Sequence, residues 1–241
     1  MQINDNDLIS LAKKYQTPLY VYDFDEIKQN YYDFKKAFSG RKSIIAYAMK
    51  ANSNFSLVQM LAKEGSGADC VSLNEVKLAL KAGVPKYNIV FSGVGKSYNE
   101  IEQALKLDIL LINVESFFEL DDVIQIAKKI GVKARISIRL NPDVDPKTHP
   151  YISTGLSENK FGVNADEARQ MYLIAKKSPY LEPVGLHTHI GSQLTDIKPI
   201  QDTLKTASEF ASSLIAIGIE LKFFNVGGGL GVIYDDEKLI N

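Results

Sequence analysis

The chain has 241 residues, and its 28 basic and 29 acidic side chains give a net charge of −1 at pH 7. This balance, without any basic block, argues against binding to nucleic acid or to a membrane surface. The most apolar run, Ile109 to Val114, is too short to span a bilayer. A single cysteine, Cys70, excludes an intrachain disulfide, and the first residues do not form a signal peptide, so we expect a soluble, cytoplasmic protein.

The first 42 residues are expected to form a short unit that leads into a larger domain. Helical spacing covers Asp5 to Tyr15, and the residues from Thr17 to Asp23 have the composition of a strand. An amphipathic helix is predicted from Asp25 to Phe38 and ends near Gly40.

From residue 43 to residue 241, short apolar strands alternate with helices. This alternation predicts parallel pairing, because each crossover between parallel strands needs a helix. The predicted strands are Ser43–Met49, Gly67–Ser72, Asn88–Ser92, Ile109–Val114, Lys133–Leu140, Val184–Ile190 and Leu221–Val226. The predicted helices are Phe55–Lys63, Leu73–Ala82, Ser97–Leu107, Phe117–Ile130, Ala165–Lys177 and Ile200–Ile217.

About seven strands at regular spacing predict an α/β fold of the (β/α)₈ TIM-barrel type, with one strand missing at the C-terminal end. An unclosed barrel exposes two sheet edges, so we expect the sequence to be a fragment of a longer protein. A long loop is predicted between Asn141 and Gly162. Helix-capping S-x-x-E boxes at Ser72, Ser97 and Ser116 each fall just past a predicted strand end.

Lys50 directly follows the apolar stretch S-I-I-A-Y-A-M. In a parallel barrel, catalytic groups gather at the carboxyl ends of the strands. Burial at such a position disfavours the charged ammonium and makes the neutral, nucleophilic amine accessible. Lys50 is therefore a candidate for imine chemistry, and the alternative is a solvated lysine at a strand–loop junction.

The motif H-T-H-I-G-S-Q places His187 and His189 on one face of a predicted strand. Such a pair can bind a metal ion, but a hydrolytic metal site needs further ligands from other strand ends. A flat imidazole that stacks on a planar cofactor suits His189 better, since Gly191 leaves room and Ser192 offers a hydroxyl. The remaining alternative is a buried histidine bonded to its neighbours.

Gly227, Gly228 and Gly229 follow the last predicted strand. Consecutive glycines let backbone N–H groups converge on an anion, although any tight turn can require glycine. The turn does not have the dinucleotide-binding spacing, because Val232 stands where the last glycine of G-x-G-x-x-G is needed.

The segment G-V-G-K-S resembles the end of a phosphate-binding P-loop, but Val90 stands where the upstream glycine is required. Ser97 is more simply a helix cap, and Lys96 is expected to be solvated.

Two further strand-end residues have two interpretations each. Asp69 is predicted beside Lys50, where its carboxylate positions the lysine or a ring, unless it serves only as a polar cap. Arg139 either meets an anionic group or forms a structural salt bridge. Cys70 alternates in direction with Asp69 and is expected to pack in the core.

A lysine for imine formation, a stacking histidine and a phosphate-binding turn at a late strand together suggest pyridoxal phosphate as the cofactor. At this point the sequence resembles the diaminopimelate decarboxylases, within the alanine-racemase-like (fold III) class of pyridoxal-phosphate enzymes. The resemblance covers nearly the whole chain. It is carried by A-Y-A-M-K-A-N, G-A-D-C-V-S-L-N-E, Y-I-S-T-G-L-S-E-N-K-F-G and G-L-H-T-H-I-G-S-Q, with support from N-V-G-G-G-L-G.

The resemblance implies a role for each matching residue. Lys50 and His189 are the catalytic residues, of which the first binds the cofactor covalently and the second stacks on its ring. Asp69 lies near the lysine. The phosphate is held by Ser192 together with Gly227, Gly228 and Gly229. The resemblance places Asn159, Lys160 and Phe161 at the border of the substrate entrance, and Arg139 is a further candidate there because of its strand-end position.

The implied reaction is removal of one carboxylate from meso-2,6-diaminopimelate to give L-lysine, in a homodimer and without a metal ion. Family members continue with an E-P-G-R segment and a β domain that contribute to the site, and these are absent here, so we expect this chain alone to be inactive. The alternatives are a sibling decarboxylase for another basic amino acid, a non-catalytic pyridoxal-phosphate-binding protein, and a barrel hydrolase with zinc at His187 and His189.

Overall fold

The structure is a computed structural model that describes residues 5–144 and 161–234. Within these ranges the helices are α1 (Asp5–Tyr15), α2 (Phe24–Ala37), α3 (Phe55–Lys63), α4 (Leu73–Lys81), α5 (Tyr98–Lys106), α6 (Phe117–Ile130), α7 (Ala165–Lys177) and α8 (Ile197–Ala216). The strands are β1 (Ala46–Ala48), β2 (Gly67–Cys70), β3 (Ile89–Phe91), β4 (Leu111–Val114), β5 (Ala134–Arg139), β6 (Leu181–His187) and β7 (Phe223–Asn225). A short 3₁₀ helix, Lys86–Asn88, precedes β3.

In this part of the chain the strands form one parallel sheet in the order β1 to β7. An open doubly wound sheet would reverse its order at a switch point, whereas sequential order is that of a TIM-type barrel. The prediction of an α/β fold of the TIM-barrel type is confirmed, and residues 5–144 and 161–234 contribute seven strands to it.

Most strands are shorter than predicted, because apolar composition continues past the paired residues. Strand β6 differs at both ends, since it starts at Leu181 and stops at His187. It contains Pro183, which the prediction placed outside the strand. The register between β5 and β6 shifts at Ile136 and Ser137, directly beside Pro183, where a missing backbone donor is tolerated.

The strand predicted from Thr17 to Asp23 is wrong. Residues 17–22 have no strand pairing, and the side chain of Tyr20 is 85% exposed. Asp23 instead begins the next helix, since its carboxylate accepts hydrogen bonds from the amides of Asp25 at 2.9 Å and Glu26 at 3.2 Å. Strand-like composition does not make a strand where no partner strand lies alongside.

The core is divided by the sheet. The largest apolar cluster lies between the strands and the surrounding helices and includes Cys70, which is fully buried as predicted. A separate cluster of Val90, Leu110, Leu111 and Val184, with Phe223 packed against it, contains residues from β3, β4, β6 and β7. Further toward the carboxyl ends of these strands the residues become polar, and this change locates the site described below.

The three serines of the predicted capping boxes are the N-caps of helices at these carboxyl ends, and the reciprocal box is complete at Ser97 and Glu100. The amide of Glu75 donates to Ser72 Oγ at 3.3 Å, and that of Glu119 donates to Ser116 Oγ at 3.2 Å. The hydroxyl of Ser97 donates to Glu100 Oε2 at 2.8 Å. The caps fix where α4, α6 and α5 start, and therefore which loop residues reach the site.

Every helix within residues 5–144 and 161–234 is too short or too polar to cross a lipid bilayer.

Candidate active site

A chain of polar side chains crosses the sheet above its apolar cluster. Ser92 Oγ donates to Asp69 Oδ1 at 2.5 Å, and Asn113 Nδ2 donates to Ser92 Oγ at 2.9 Å. Sequence reasoning selected Asp69 but missed Ser92 and Asn113. The available signal was a single amide within the apolar strand L-I-N-V, because a buried polar residue needs a partner.

Lys50 lies in a turn two residues beyond β1, and its side chain is exposed. Of the two interpretations of Lys50, the exposed lysine at a strand–loop junction is the one present in the described structure, and its role in imine chemistry stays a prediction. Its ammonium is near enough to lower the pKa of both the Asp69 carboxyl and the His189 imidazole. The structure thus brings together the three side chains that the sequence placed at the ends of different strands.

Asp69 is a half-buried carboxyl whose environment acts in two directions. Burial raises its pKa and outweighs the lowering by the Ser92 hydroxyl and by the charge of Lys50. A raised pKa makes this carboxyl a better proton carrier near neutral pH than an exposed aspartate.

His187 and His189 occupy different positions relative to β6. His187 ends the strand and is buried, and its Nδ1 has no hydrogen-bond partner among the described residues. His189 lies two residues beyond the strand, and its Nδ1 is 3.4 Å from the amide nitrogen of Gly228. The prediction that the two histidines share one strand face is wrong, because the strand ends between them.

Burial lowers the pKa of His189 to about 4, and the charges of Arg139 and Lys50 add to this effect. Burial also lowers the pKa of His187 well below its usual value. Both imidazoles are therefore neutral at pH 7. A neutral ring suits stacking against a planar group better than it suits an anion.

The lowered pKa of His189 predicts that acid weakens the fold before most carboxylates titrate. Between pH 6.5 and about 4, the unfolded chain binds a proton at His189 that the folded chain does not. The free energy of unfolding should therefore fall as the pH falls through this window, by up to about 3 kcal/mol from this residue. Urea unfolding of the wild type and of His189→Gln at several pH values measures the difference. Parallel pH curves for the two proteins would contradict the prediction.

The glycine turn after β7 approaches the loop after β6 very closely. Gly227 has φ +75°, and a Cβ there would lie 2.5 Å from Thr188 O and 3.0 Å from His189 Nδ1. Gly229 has φ +95°, and a Cβ there would lie 1.9 Å from Gly191 O. Gly228 differs, because a Cβ on it would meet nothing within 4 Å.

Ser192 is exposed in the loop after β6. Main-chain contacts hold this loop against the glycine turn, since the Leu194 amide donates to Gly229 O at 2.9 Å and the Gly231 amide donates to Leu194 O at 2.9 Å. The structure therefore places Ser192 in the loop that pairs with the predicted phosphate turn.

Arg139 ends β5 in a buried ion pair. Its Nη1 lies 2.9 Å from Glu115 Oε1 and 3.1 Å from Oε2, and the two side chains are 8% and 3% exposed. The guanidinium also lies 4.9 Å from the ring centroid of Phe161. The salt-bridge alternative for Arg139 is present in the structure, while its role at a substrate entrance stays a prediction.

The other entrance residues divide between described and undescribed parts of the chain. Phe161 is half-buried against Arg139. Asn159 and Lys160 lie outside the described residues.

Lys96 is not solvated, contrary to the sequence prediction. Its side chain is 0% exposed, and its Nζ lies 2.7 Å from Glu119 Oε1. Nζ also donates to Gly93 O. Burial raises the pKa of the Glu119 carboxyl, and the Lys96 charge opposes that shift. The P-loop-like segment thus serves to tie the β3–α5 loop to the start of α6.

Replacing Lys96 by methionine should destabilise the protein by about 3–5 kcal/mol, because Glu119 would remain buried without its cation. The matched control is Lys106→Met, which removes an ion pair to Glu102 from a lysine that is 48% exposed. That change should cost less than about 1 kcal/mol. Urea unfolding at pH 7 measures both values, and equal losses would contradict the buried-pair interpretation.

The zinc alternative required further ligands beside His187 and His189. Within residues 5–144 and 161–234, no group of three or more His, Cys, Asp or Glu side chains is arranged to hold a metal ion.

The arrangement fits pyridoxal phosphate. Open space lies at Gly228, where a side chain would otherwise stand, and the glycine backbone borders it. The charge of the Lys50 amine acts on both the Asp69 carboxyl and the neutral His189 imidazole, so groups from three strand ends lie within electrostatic range of this amine. These groups match an aldehyde-bearing ring with a phosphate, since the amine can meet the aldehyde and the open space at Gly228 admits the phosphate. The amides of Gly227 and Gly228 donate to Asn225 Oδ1 at 2.9 Å and to His189 Nδ1 at 3.4 Å, which fixes the turn beside this space.

Comparison with known proteins gives the same assignment. Residues 24–240 match the family described as pyridoxal-dependent decarboxylase, pyridoxal binding domain. The diaminopimelate decarboxylase of Helicobacter pylori is 61% identical over 230 residues, which are 95% of this chain and 57% of that protein. That of Campylobacter jejuni is 58% identical over 232 residues, covering 96% of this chain and 58% of that protein.

A solved structure of Helicobacter pylori diaminopimelate decarboxylase complexed with L-lysine superposes with a TM-score of 0.95 at 59% identity, covering 97% of this chain and 59% of that one. The chain therefore spans a little over half the length of the relatives it matches. The family match extends across nearly all of the sequence, and it agrees with the cofactor that the site geometry fits. The chain belongs to the pyridoxal-dependent decarboxylases, in which it corresponds to the pyridoxal-binding domain.

Proposed function

We propose that this chain is the cofactor-binding barrel of an enzyme that converts meso-2,6-diaminopimelate into L-lysine and CO₂. The supporting observation is that Lys50 lies within electrostatic range of both Asp69 and His189 at the carboxyl edge of the sheet. Relatives with this activity in their names are 58–61% identical to the chain.

Each site residue has a proposed task. Lys50 Nζ binds the cofactor aldehyde, and Asp69 orients that amine. The neutral ring of His189 supports the cofactor ring, while Ser192 and residues 227–229 bind the phosphate. When bound, pyridoxal phosphate supplies an electron sink for the electron pair that decarboxylation leaves on the substrate carbon.

We also propose a cytoplasmic homodimer. The one cysteine in the sequence is a buried free thiol, which suits a reducing compartment, and the family resemblance implies the dimer. The division of the chain at residues 42 and 43 stays a prediction. Helix α2 packs on α3 through Tyr31, Leu57 and Leu61, so the part before residue 43 is in contact with the barrel.

The test is substrate turnover by the purified chain, both alone and joined to the C-terminal portion of the Helicobacter pylori relative. We expect the chain alone to bind the cofactor with little or no turnover. The joined protein should release CO₂ from meso-2,6-diaminopimelate, and Lys50→Ala should abolish that release.

Two results would overturn this proposal. Preferential release of CO₂ from L-ornithine or L-arginine would favour a sibling decarboxylase. Cofactor binding without turnover in the joined protein would favour the non-catalytic alternative.

A further inference from the structure

Glu115 connects three parts of the site that different elements supply. It follows β4 and is 6% exposed, and its carboxylate binds Arg139 Nη1 through both oxygens. The same carboxylate accepts the amide hydrogen of Gly162 at 3.2 Å. Glu115 therefore joins the end of β5 to the chain that returns at Phe161 and Gly162.

Arg139 extends this connection to the loop that carries the stacking histidine. Its Nη2 donates to His189 O at 3.3 Å, and its guanidinium lies over the Phe161 ring. One nitrogen is thus hydrogen-bonded to Glu115, and another is hydrogen-bonded to the His189 carbonyl. The planar face of the guanidinium lies over an aromatic ring. These contacts engage the guanidinium within the protein, so it is poorly placed to bind a substrate carboxylate.

Glu115 is itself held in place. Its amide donates to Glu119 Oε2 at 2.9 Å, and Glu119 is paired with the buried Lys96. A main-chain hydrogen bond beside Gly162 also connects this segment to the end of β5, since the Val163 amide donates to Arg139 O at 3.0 Å. The ion pair is therefore one part of a buried and connected network.

We propose that Glu115 is a positioning residue that, by holding Arg139 and the Gly162 amide, sets the position of His189 and of the Phe161–Gly162 segment. In this arrangement Arg139 positions other groups and does not bind substrate. The importance of this position for the cofactor rests on the proposed function, whereas the contacts themselves can be tested without cofactor.

The first measurement is amide hydrogen exchange in the ligand-free chain, comparing wild type with Glu115→Gln. Loss of the charge-assisted bond to the Gly162 amide should speed its exchange by about tenfold. Glu102→Gln is the matched control, because it removes a carboxylate that pairs with two exposed lysines on the outer surface. Unchanged exchange at Gly162 in Glu115→Gln would overturn the proposal.

The second measurement is the visible circular dichroism of the chain saturated with pyridoxal phosphate, which reports how the bound ring is oriented. Glu115→Gln should reduce this signal, and Glu115→Asp should restore part of it. If Glu115→Gln unfolds because Arg139 is left unpaired, the double variant Glu115→Gln with Arg139→Gln removes both charges, and it should show the same reduced signal. A wild-type signal in the folded double variant would overturn the proposal.

The two measurements distinguish the possible failures. A wild-type chain that shows no cofactor signal would contradict the proposed function. The exchange rate at Gly162 would still decide whether Glu115 holds this segment.

Discussion

Replacing Lys50 by alanine is expected to abolish covalent attachment of pyridoxal phosphate to the chain. Attachment requires a primary amine that reaches the aldehyde from within the site. The charge of Lys50 already acts on Asp69 and His189, and its side chain is exposed in the turn after β1, where a ligand can reach it. The wild-type chain should show a visible absorbance band on adding cofactor. Borohydride should then fix one equivalent to the peptide that contains Lys50.

The matched control is Lys63→Ala, which removes an exposed lysine from the C-terminal end of α3. It should retain the band and the label on Lys50. Circular dichroism should show that Lys50→Ala is folded, because Lys50 is exposed at the edge of the sheet and the change removes no buried contact. A borohydride-stable label of equal yield in Lys50→Ala would show that another amine forms the bond.

Local sequence patterns were sufficient to predict most of the helices. α1, α3, α6 and α7 have the predicted bounds, since each combines an amphipathic repeat with a clear start or stop signal. The parallel sheet followed from the alternation of strands and helices. Strand ends were harder to predict, because a strand ends where its pairing with the neighbouring strand ends, and local composition does not determine that pairing. The 17–22 segment shows this most clearly.

The candidate site was predictable only where the chemistry of a residue stands out at a strand end. Lys50, Asp69 and His189 were selected in this way, and their roles stay predictions. Partners that act through contact were missed, as with Ser92 and Asn113, because a serine or an amide has many ordinary roles. The error at Lys96 has the same origin, since the ion pair with Glu119 joins two loops that no local pattern connects. Burial and pairing are tertiary properties that a short motif does not determine.

The second large effect is expected from Gly229→Ala. The new Cβ would lie 1.9 Å from Gly191 O, and the backbone at Gly229 has φ +95°. Either the glycine turn or the loop after β6 must move, and this movement weakens the hydrogen bond between the Leu194 amide and Gly229 O. We expect a loss of about 2–3 kcal/mol in the free energy of unfolding. The affinity for pyridoxal phosphate should fall by at least about tenfold, because the turn and the Ser192 loop would no longer align.

Gly228→Ala separates the expected loss of stability from the expected loss of cofactor affinity. Nothing lies within 4 Å of its added Cβ, so the free energy of unfolding should change by less than about 0.5 kcal/mol. The methyl group would nevertheless enter the space assigned to the phosphate, so cofactor affinity should fall while stability is retained. Urea unfolding and a cofactor titration of both variants give the comparison. Wild-type affinity in Gly228→Ala would place the phosphate elsewhere, and wild-type stability in Gly229→Ala would show that the close approach of these two loops is not required by the fold.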